Sequence, residues 1–136
     1  GYRIAVIAGP DALDSATGRS VIAHMKMKPI ACIGNMPIPE TVSLFRRAAL
    51  VISADTGPMH IASAVGAPLI AIFGRNQAGI SPLRWGPVNP NSIVLHRSVG
   101  CEKCLAHDCK KGFACLLAVT TSDVISAAEK LLKGFV

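Results

Sequence analysis

Asp55, Thr56 and His60 stand together in the stretch Ser53-Ala54-Asp55-Thr56-Gly57-Pro58-Met59-His60. A carboxylate, a hydroxyl and an imidazole this close could hold an anion or move a proton. The residues around them favour the anion. The apolar run Leu50 to Ser53 reads as a buried strand that delivers Asp55 and Thr56 to a sheet edge. Gly57 lets a ligand approach the backbone with no β-carbon in the way. Pro58 opens a helix, and the first N–H groups of a helix form a positive, donor-rich end. Thr56 can donate to a phosphate oxygen or cap the helix, and His60 can donate from the first turn. Asp55 repels a phosphate unless it bonds a sugar hydroxyl or holds a neighbouring donor. The same residues also fit an ordinary strand-to-helix turn with Asp or Thr as its cap.

A second group with chemical promise is Cys101-x-x-Cys104 with Cys109 and Cys115, and with His107 among them. This spacing can close a tetrahedral zinc site. The alternative is four reduced thiols packing an irregular loop. The CxxC does not follow a strand and open a helix, which argues against a thioredoxin-like redox role. Cys32 falls within a strand and reads as a small core residue. His24 and His96 have no ligand-like neighbours and read as structural. Trp85 is the only Trp. It fits either the edge of a ligand cleft or simple packing.

The elements that would carry these residues alternate. Arg3 to Ala8 reads as a strand ended by Gly9-Pro10. Asp11 to Met27 reads as a helix, with Val21, Ile22 and Met25 at helical spacing and Asp11 or Asp14 as its cap. Pro29 to Ile33 is a second strand. Pro39-Glu40 opens a helix with Val42, Phe45 and Ala49 on its apolar face. Leu50 to Ser53 is a third strand, and Gly57-Pro58 to Val65 is a helix stopped by Gly66. Pro68 to Phe73 is a fourth strand. Arg75 to Ser92 should be mostly loop, and Ser92 to His96 a last strand. A closing helix spans Thr121 to Leu132, capped by Thr121 or Ser122. Its buried face holds Val124, Ile125, Ala128, Leu131 and Leu132. The pattern predicts an α/β fold, a Rossmann-like parallel sheet with helices on both faces. Ligands of such sheets bind beyond the carboxyl ends of the strands. The loops Gly9–Asp14, Gly34–Glu40 and Asp55–His60 are therefore the ones to watch.

Composition sets the limits. The 136 residues fit one domain, and half of them are apolar with few aromatics. Fourteen Lys and Arg against eight Asp and Glu give a net charge of +6. That suits an anionic partner, or solubility alone. No basic run is interleaved with aromatics, so single-stranded nucleic acid is not the expected partner. No apolar run approaches the ~20 residues of a spanning helix. Five Cys is an odd count, which argues against a disulfide framework.

Over Ser53 to Gly74, SADTGPMHIASAVGAPLIAIFG, the sequence resembles glycosyltransferase family 9, the ADP-heptose:lipopolysaccharide heptosyltransferases. The family shows D-[TS]-G-x-x-H, an Ala-rich helix, Gly-x-Pro, and an apolar strand ending Phe-Gly. The resemblance continues through Met36 and the Pro39–Ala49 helix upstream. Downstream it takes in Ser81-Pro82 to Gly86-Pro87, the four Cys, and Ala118 to Val124.

The resemblance implies the C-terminal half of a GT-B glycosyltransferase, in which two Rossmann-like domains face a cleft. Residues 1–136 would then be a single nucleotide-sugar-binding domain. Asp55, Thr56, Gly57 and His60 would contact the diphosphate and sugar, with Pro58 and Met59 completing the segment. Met36 would offer its backbone to the adenine. Asp14 would be the ribose partner, with Asp11 as its rival. The implied reaction is inverting transfer of heptose from ADP-heptose to the lipopolysaccharide inner core. No cofactor or metal is required, and the work is done at the cytoplasmic face of the inner membrane with peripheral membrane association. The resemblance places the catalytic base and the acceptor in an N-terminal domain outside this sequence. It also places a first strand and a phosphate-reaching Lys loop outside it. The chain therefore reads as a fragment, inactive alone. Arg75-Asn76 stands where the family tends to have Pro-Thr, which leaves the donor sugar open. Two other readings stay open: a non-catalytic nucleotide- or phosphate-binding module, and a small zinc domain organised by the four Cys.

Overall fold

The computed structural model describes residues 1–75, 77, 79–101, 104 and 108–133. His107 and Asn76 lie outside the described residues. The chain divides into two compact units, Gly1–Thr41 and Val42–Val136.

The first unit holds β1 (Ala5–Ala8), α1 (Ala12–His24) and β2 (Ile30–Ile33). The two strands pair in parallel, from Ala5 opposite Ile30 to Ala8 opposite Ile33. Helix α1 crosses between them and packs on both. Its start is fixed by Asp11, whose carboxylate accepts from the Asp14 N–H at 2.9 Å. The apolar spacing of Val21, Ile22 and Met25 suggested a larger-residue face, but Val21 is exposed. The buried residues of α1 are Ser15 and Gly18. Small residues let the helix axis come close to the strands, and Ser15 Oγ donates to Gly9 O at 2.9 Å.

Helix α2 (Ile38–Arg46) spans the division between the units. It starts one residue before Pro39, and the N–H groups of Glu40 and Thr41 both bond Pro37 O. Phe45 is buried as the spacing predicts, but Ala49 lies beyond the helix and is exposed.

The second unit continues with β3 (Val51–Ala54), α3 (Gly57–Ala64), β4 (Leu69–Phe73), α4 (Pro82–Trp85), β5 (Ser92–His96), α5 (Ala114–Leu117) and α6 (Thr121–Lys133). Its sheet has the order β3-β4-β5, all parallel. Side chains of a strand alternate between faces, yet successive residues Leu69, Ile70 and Ala71 are all at 0% exposure. Both faces of the central strand are therefore covered, which explains its unbroken apolar sequence. Met59 and Ala62 of α3 are equally buried, and α6 packs on β4 and β5.

The short helices α4 and α5 do not follow from periodicity, because each is a single turn inside a loop-like composition. The closing helix has a different cap from the expected Thr121 or Ser122. Thr120 and Asp123 bond reciprocally: Asp123 N donates to Thr120 Oγ1 at 3.1 Å, and Thr120 N donates to Asp123 Oδ2 at 2.8 Å. The Thr120 N–H and the Thr120 hydroxyl, which donates to Asp123 Oδ2 at 2.9 Å, hold the Asp123 carboxyl below its ordinary range, ahead of Arg97 at 2.6 Å. Ile125, expected inside, is exposed; Ala127 is the buried residue of α6. No helix among the described residues is long and apolar enough to cross a membrane.

One buried polar cluster ties α3 to the approach of β5. Ser63 Oγ accepts from Val88 N at 3.0 Å and from Asn89 N at 3.4 Å. Asn89 Nδ2 donates to Ala67 O at 2.7 Å, and its Oδ1 accepts from Asn91 N at 2.9 Å. Asn91 O in turn receives Leu69 N, the first residue of β4. Replacing Asn89 by Leu leaves the buried Ala67 carbonyl and the Asn91 N–H at the surface edge without their partner. The expected cost is about 2 kcal/mol of unfolding free energy, read from urea melts. A midpoint equal to wild type would show that water satisfies both groups.

Candidate functional site

The carboxyl ends of three parallel strands share one edge of the second unit's sheet. The segment after β3 leads directly into α3. Asp55 N still bonds Ile72 O at 3.2 Å, so the strand ladder holds the segment up to that residue. Thr56 is the N-cap, in extended conformation, and makes no side-chain cap bond. Its hydroxyl donates to Ala54 O at 3.3 Å and lies 3.4 Å from Ser53 Oγ. The capping alternative read from sequence is therefore not what this side chain does.

What remains is a set of free donors. Among the described residues, the N–H groups of Thr56 and Gly57 have no protein acceptor. Pro58 has no N–H to offer. Met59 N turns back to Thr56 O at 3.0 Å. A β-carbon at Gly57 would meet nothing within 4 Å, so the space over this backbone is open. Thr56, Gly57, Pro58 and His60 are exposed and Asp55 is half-buried. Asp55's carboxylate has no hydrogen bond or ion pair among the described residues. Met59 differs from its neighbours. Its side chain is at 0% exposure, so it anchors α3 in the core rather than facing a ligand. The helix is thus pinned from below by Met59 and open above at Gly57.

His60 has a partner that sequence reasoning left undecided. Its ring meets Trp85 edge-on, with centroids 6.1 Å apart and planes at 71°. The Arg84 guanidinium lies 5.5 Å from the centroid of the same indole. Trp85 Nε1–H donates to Gly79 O at 2.8 Å. Trp85 therefore belongs to the edge that carries His60. Arg84 had no signal in the sequence, since its place depends on the one-turn helix α4.

Asp14 and Met36 belong to the first unit. Asp11 takes the capping role, and the exposed Asp14 carboxylate lies against the Asp11 carboxyl. The charge of Asp11 beside it raises the Asp14 pKa, while the Asp14 backbone bond lowers that of Asp11. Met36 follows Gly34, whose φ of +115° turns the chain after β2, and it is half-buried before α2.

All five Cys are free and half-buried. Cys109 Sγ accepts from Phe113 N at 3.3 Å. Cys115 Sγ would lie 3.4 Å from a β-carbon at Gly74. Among the described residues no three His, Cys, Asp or Glu side chains are grouped to hold a metal ion. His24 and His96 bond backbone carbonyls, at Ser20 O and Phe73 O.

Comparison with known proteins gives one answer. The family model described as glycosyltransferase family 9 (heptosyltransferase) matches residues 1–114. Lipopolysaccharide heptosyltransferase 3 of Escherichia coli (strain K12) is 32% identical over 133 residues, covering 97% of this chain and 38% of that protein. Lipooligosaccharide heptosyltransferase 2 of Campylobacter jejuni is 32% identical over 87 residues, covering 62% of this chain and 26% of that protein. The crystal structure of a family 9 glycosyl transferase from Veillonella parvula superposes with a TM-score of 0.80 at 28% identity. It covers 98% of this chain and 37% of that one. The chain thus spans less than two fifths of the length of these relatives.

Proposed function

The chain belongs to glycosyltransferase family 9, and from that premise we propose that Asp55–His60 holds the diphosphate of a nucleotide-sugar donor. The observation that carries this reading is the pair of unpartnered N–H groups at Thr56 and Gly57, beneath open space at the start of α3. Such donors, with the helix dipole behind them, suit phosphate oxygens. His60 adds a donor from the next turn position, and the Thr56 hydroxyl adds another. Asp55 takes a hydroxyl of the sugar, which lets a carboxylate stand beside a phosphate. Met36 and Asp14 are the proposed partners of the adenine and the ribose.

The donor we propose is ADP-heptose and the acceptor is the lipopolysaccharide inner core, in a GT-B enzyme acting at the cytoplasmic face of the inner membrane. The relatives' names support heptosyl transfer. The role of this segment is electrostatic. When the bond from sugar to phosphate breaks, negative charge grows on the departing diphosphate. Fixed N–H donors stabilise that charge without having to reorganise. This chemistry needs no metal.

Calorimetry with ADP, ADP-heptose and UDP tests the reading, with His60→Ala as control. ADP and ADP-heptose should bind in preference to UDP, and the mutant should lose about tenfold in affinity, the value of one hydrogen bond to a charged group. Preference for UDP would keep the phosphate site and change the donor. Binding unaltered by His60→Ala would remove His60 from the site.

A further inference from the structure

We infer that Trp85 is the positioning residue of His60, so that helix α4 sets the geometry of the donor-phosphate site. This rests on the reading of His60 as a phosphate donor.

Helix α4 contributes no buried side chain to the core. Leu83 is fully exposed, and Trp85 is 46% exposed. A Trp that only filled space would be placed deeper. Yet Trp85 is held from three directions. Its indole N–H is bonded to Gly79 O, the Arg84 guanidinium covers the ring, and its peptide sits in a tightly closed turn. In that turn Gly86 N bonds Pro82 O at 2.8 Å, and a β-carbon at Gly86 would overlap the Pro82 carbonyl oxygen. The sequence Leu83-Arg84-Trp85-Gly86 thus fixes an indole where it gains little from burial.

What the fixed indole touches is His60. Among the described residues the imidazole has no hydrogen-bond partner, although His24 and His96 each bond a backbone carbonyl. The aromatic edge is therefore the described contact that restrains the His60 ring. Edge-to-face aromatic pairs prefer this angle and separation. A ring held in one orientation presents its N–H to a phosphate oxygen without losing rotamer freedom on binding. Arg84 reinforces the arrangement through the indole face, and no acidic side chain among the described residues pairs with it.

The test is a double-mutant cycle on ADP binding in the full chain, with Trp85→Ala, His60→Ala and the double mutant. Trp85→Ala should weaken ADP by about three- to tenfold when His60 is present, and leave affinity unchanged when His60 is already Ala. Equal losses in both backgrounds would overturn the proposal, because Trp85 would then act on the fold or on the ligand itself. A ligand-free readout separates this from the donor reading. The His60 ring proton resonances should move in Trp85→Ala as the indole ring current is lost. Resonances unmoved in Trp85→Ala would also overturn it. If His60→Ala binds ADP as wild type does while the resonances shift as expected, the contact stands and the donor role of His60 fails.

Discussion

Gly57→Val is expected to leave the fold intact and weaken donor binding by about 10- to 100-fold, the equivalent of one strong charge-assisted hydrogen bond or more. The two halves of this expectation have separate grounds. Stability is spared because a β-carbon at Gly57 meets nothing within 4 Å, and the residue does not use a positive φ. Binding should fall because the same open space is where the proposed phosphate would sit to reach the Thr56 and Gly57 N–H groups. Two methyl groups placed there hold a ligand oxygen beyond hydrogen-bond distance. Gly57→Ala should lie between wild type and Gly57→Val in affinity. Thermal melts and ADP calorimetry on the same preparations decide the matter. A Gly57→Val protein that binds ADP as wild type does would show that the ligand does not approach this backbone. One that unfolds would show instead that the glycine serves the fold.

The strand-to-helix segment was legible because its grammar is local. A branched apolar run, an Asp-Thr, a Gly and a Pro each carry a conformational meaning within a few residues, and α3 begins where they place it. The parallel order of β3, β4 and β5 was legible for a similar reason, since strand and helix alternate with joins too short for other topologies. Trp85 beside His60 was not legible. The two are joined only through a one-turn helix in a stretch whose Gly, Pro and Asn content signals loop. No periodicity of that length can say where such a turn points. The buried face of α1 escapes the sequence for a different reason. Val21, Ile22 and Met25 show apolar spacing, but close approach selects for small size, and Ser15 and Gly18 carry no hydrophobic signal. The cap of α6 shows a third kind of limit. Thr120, Thr121 and Ser122 are chemically interchangeable as caps, and only the reciprocal bond with Asp123 decides among them.

Gly18→Leu is the substitution expected to damage the first unit most. Glycine inside a helix ordinarily costs about 0.5–1 kcal/mol relative to alanine, so its presence in the middle of α1 invites replacement. The surroundings reverse that inference. A β-carbon at Gly18 would lie 2.6 Å from Ile33 Cδ1 and 2.7 Å from the Ala8 β-carbon. Ile33 can rotate its terminal methyl away. The Ala8 β-carbon is fixed to the backbone of β1 and cannot yield without moving the strand. Both contacts are with the last residues of paired strands, Ala8 opposite Ile33, so the helix cannot shift from one without meeting the other. Alanine gains helix propensity but already meets the fixed Ala8 β-carbon, so it should destabilise by about 1 kcal/mol net. Leucine adds three further carbons to the same gap and should cost about 3 kcal/mol or more. Circular dichroism melts of Gly18→Ala and Gly18→Leu against wild type provide the measurement. A Gly18→Leu protein as stable as wild type would mean that α1 can lift off β1 and β2 at little cost. The carboxyl ends of those strands lead into Asp14 and Met36, so such a loose helix would also count against the proposed nucleoside contact there.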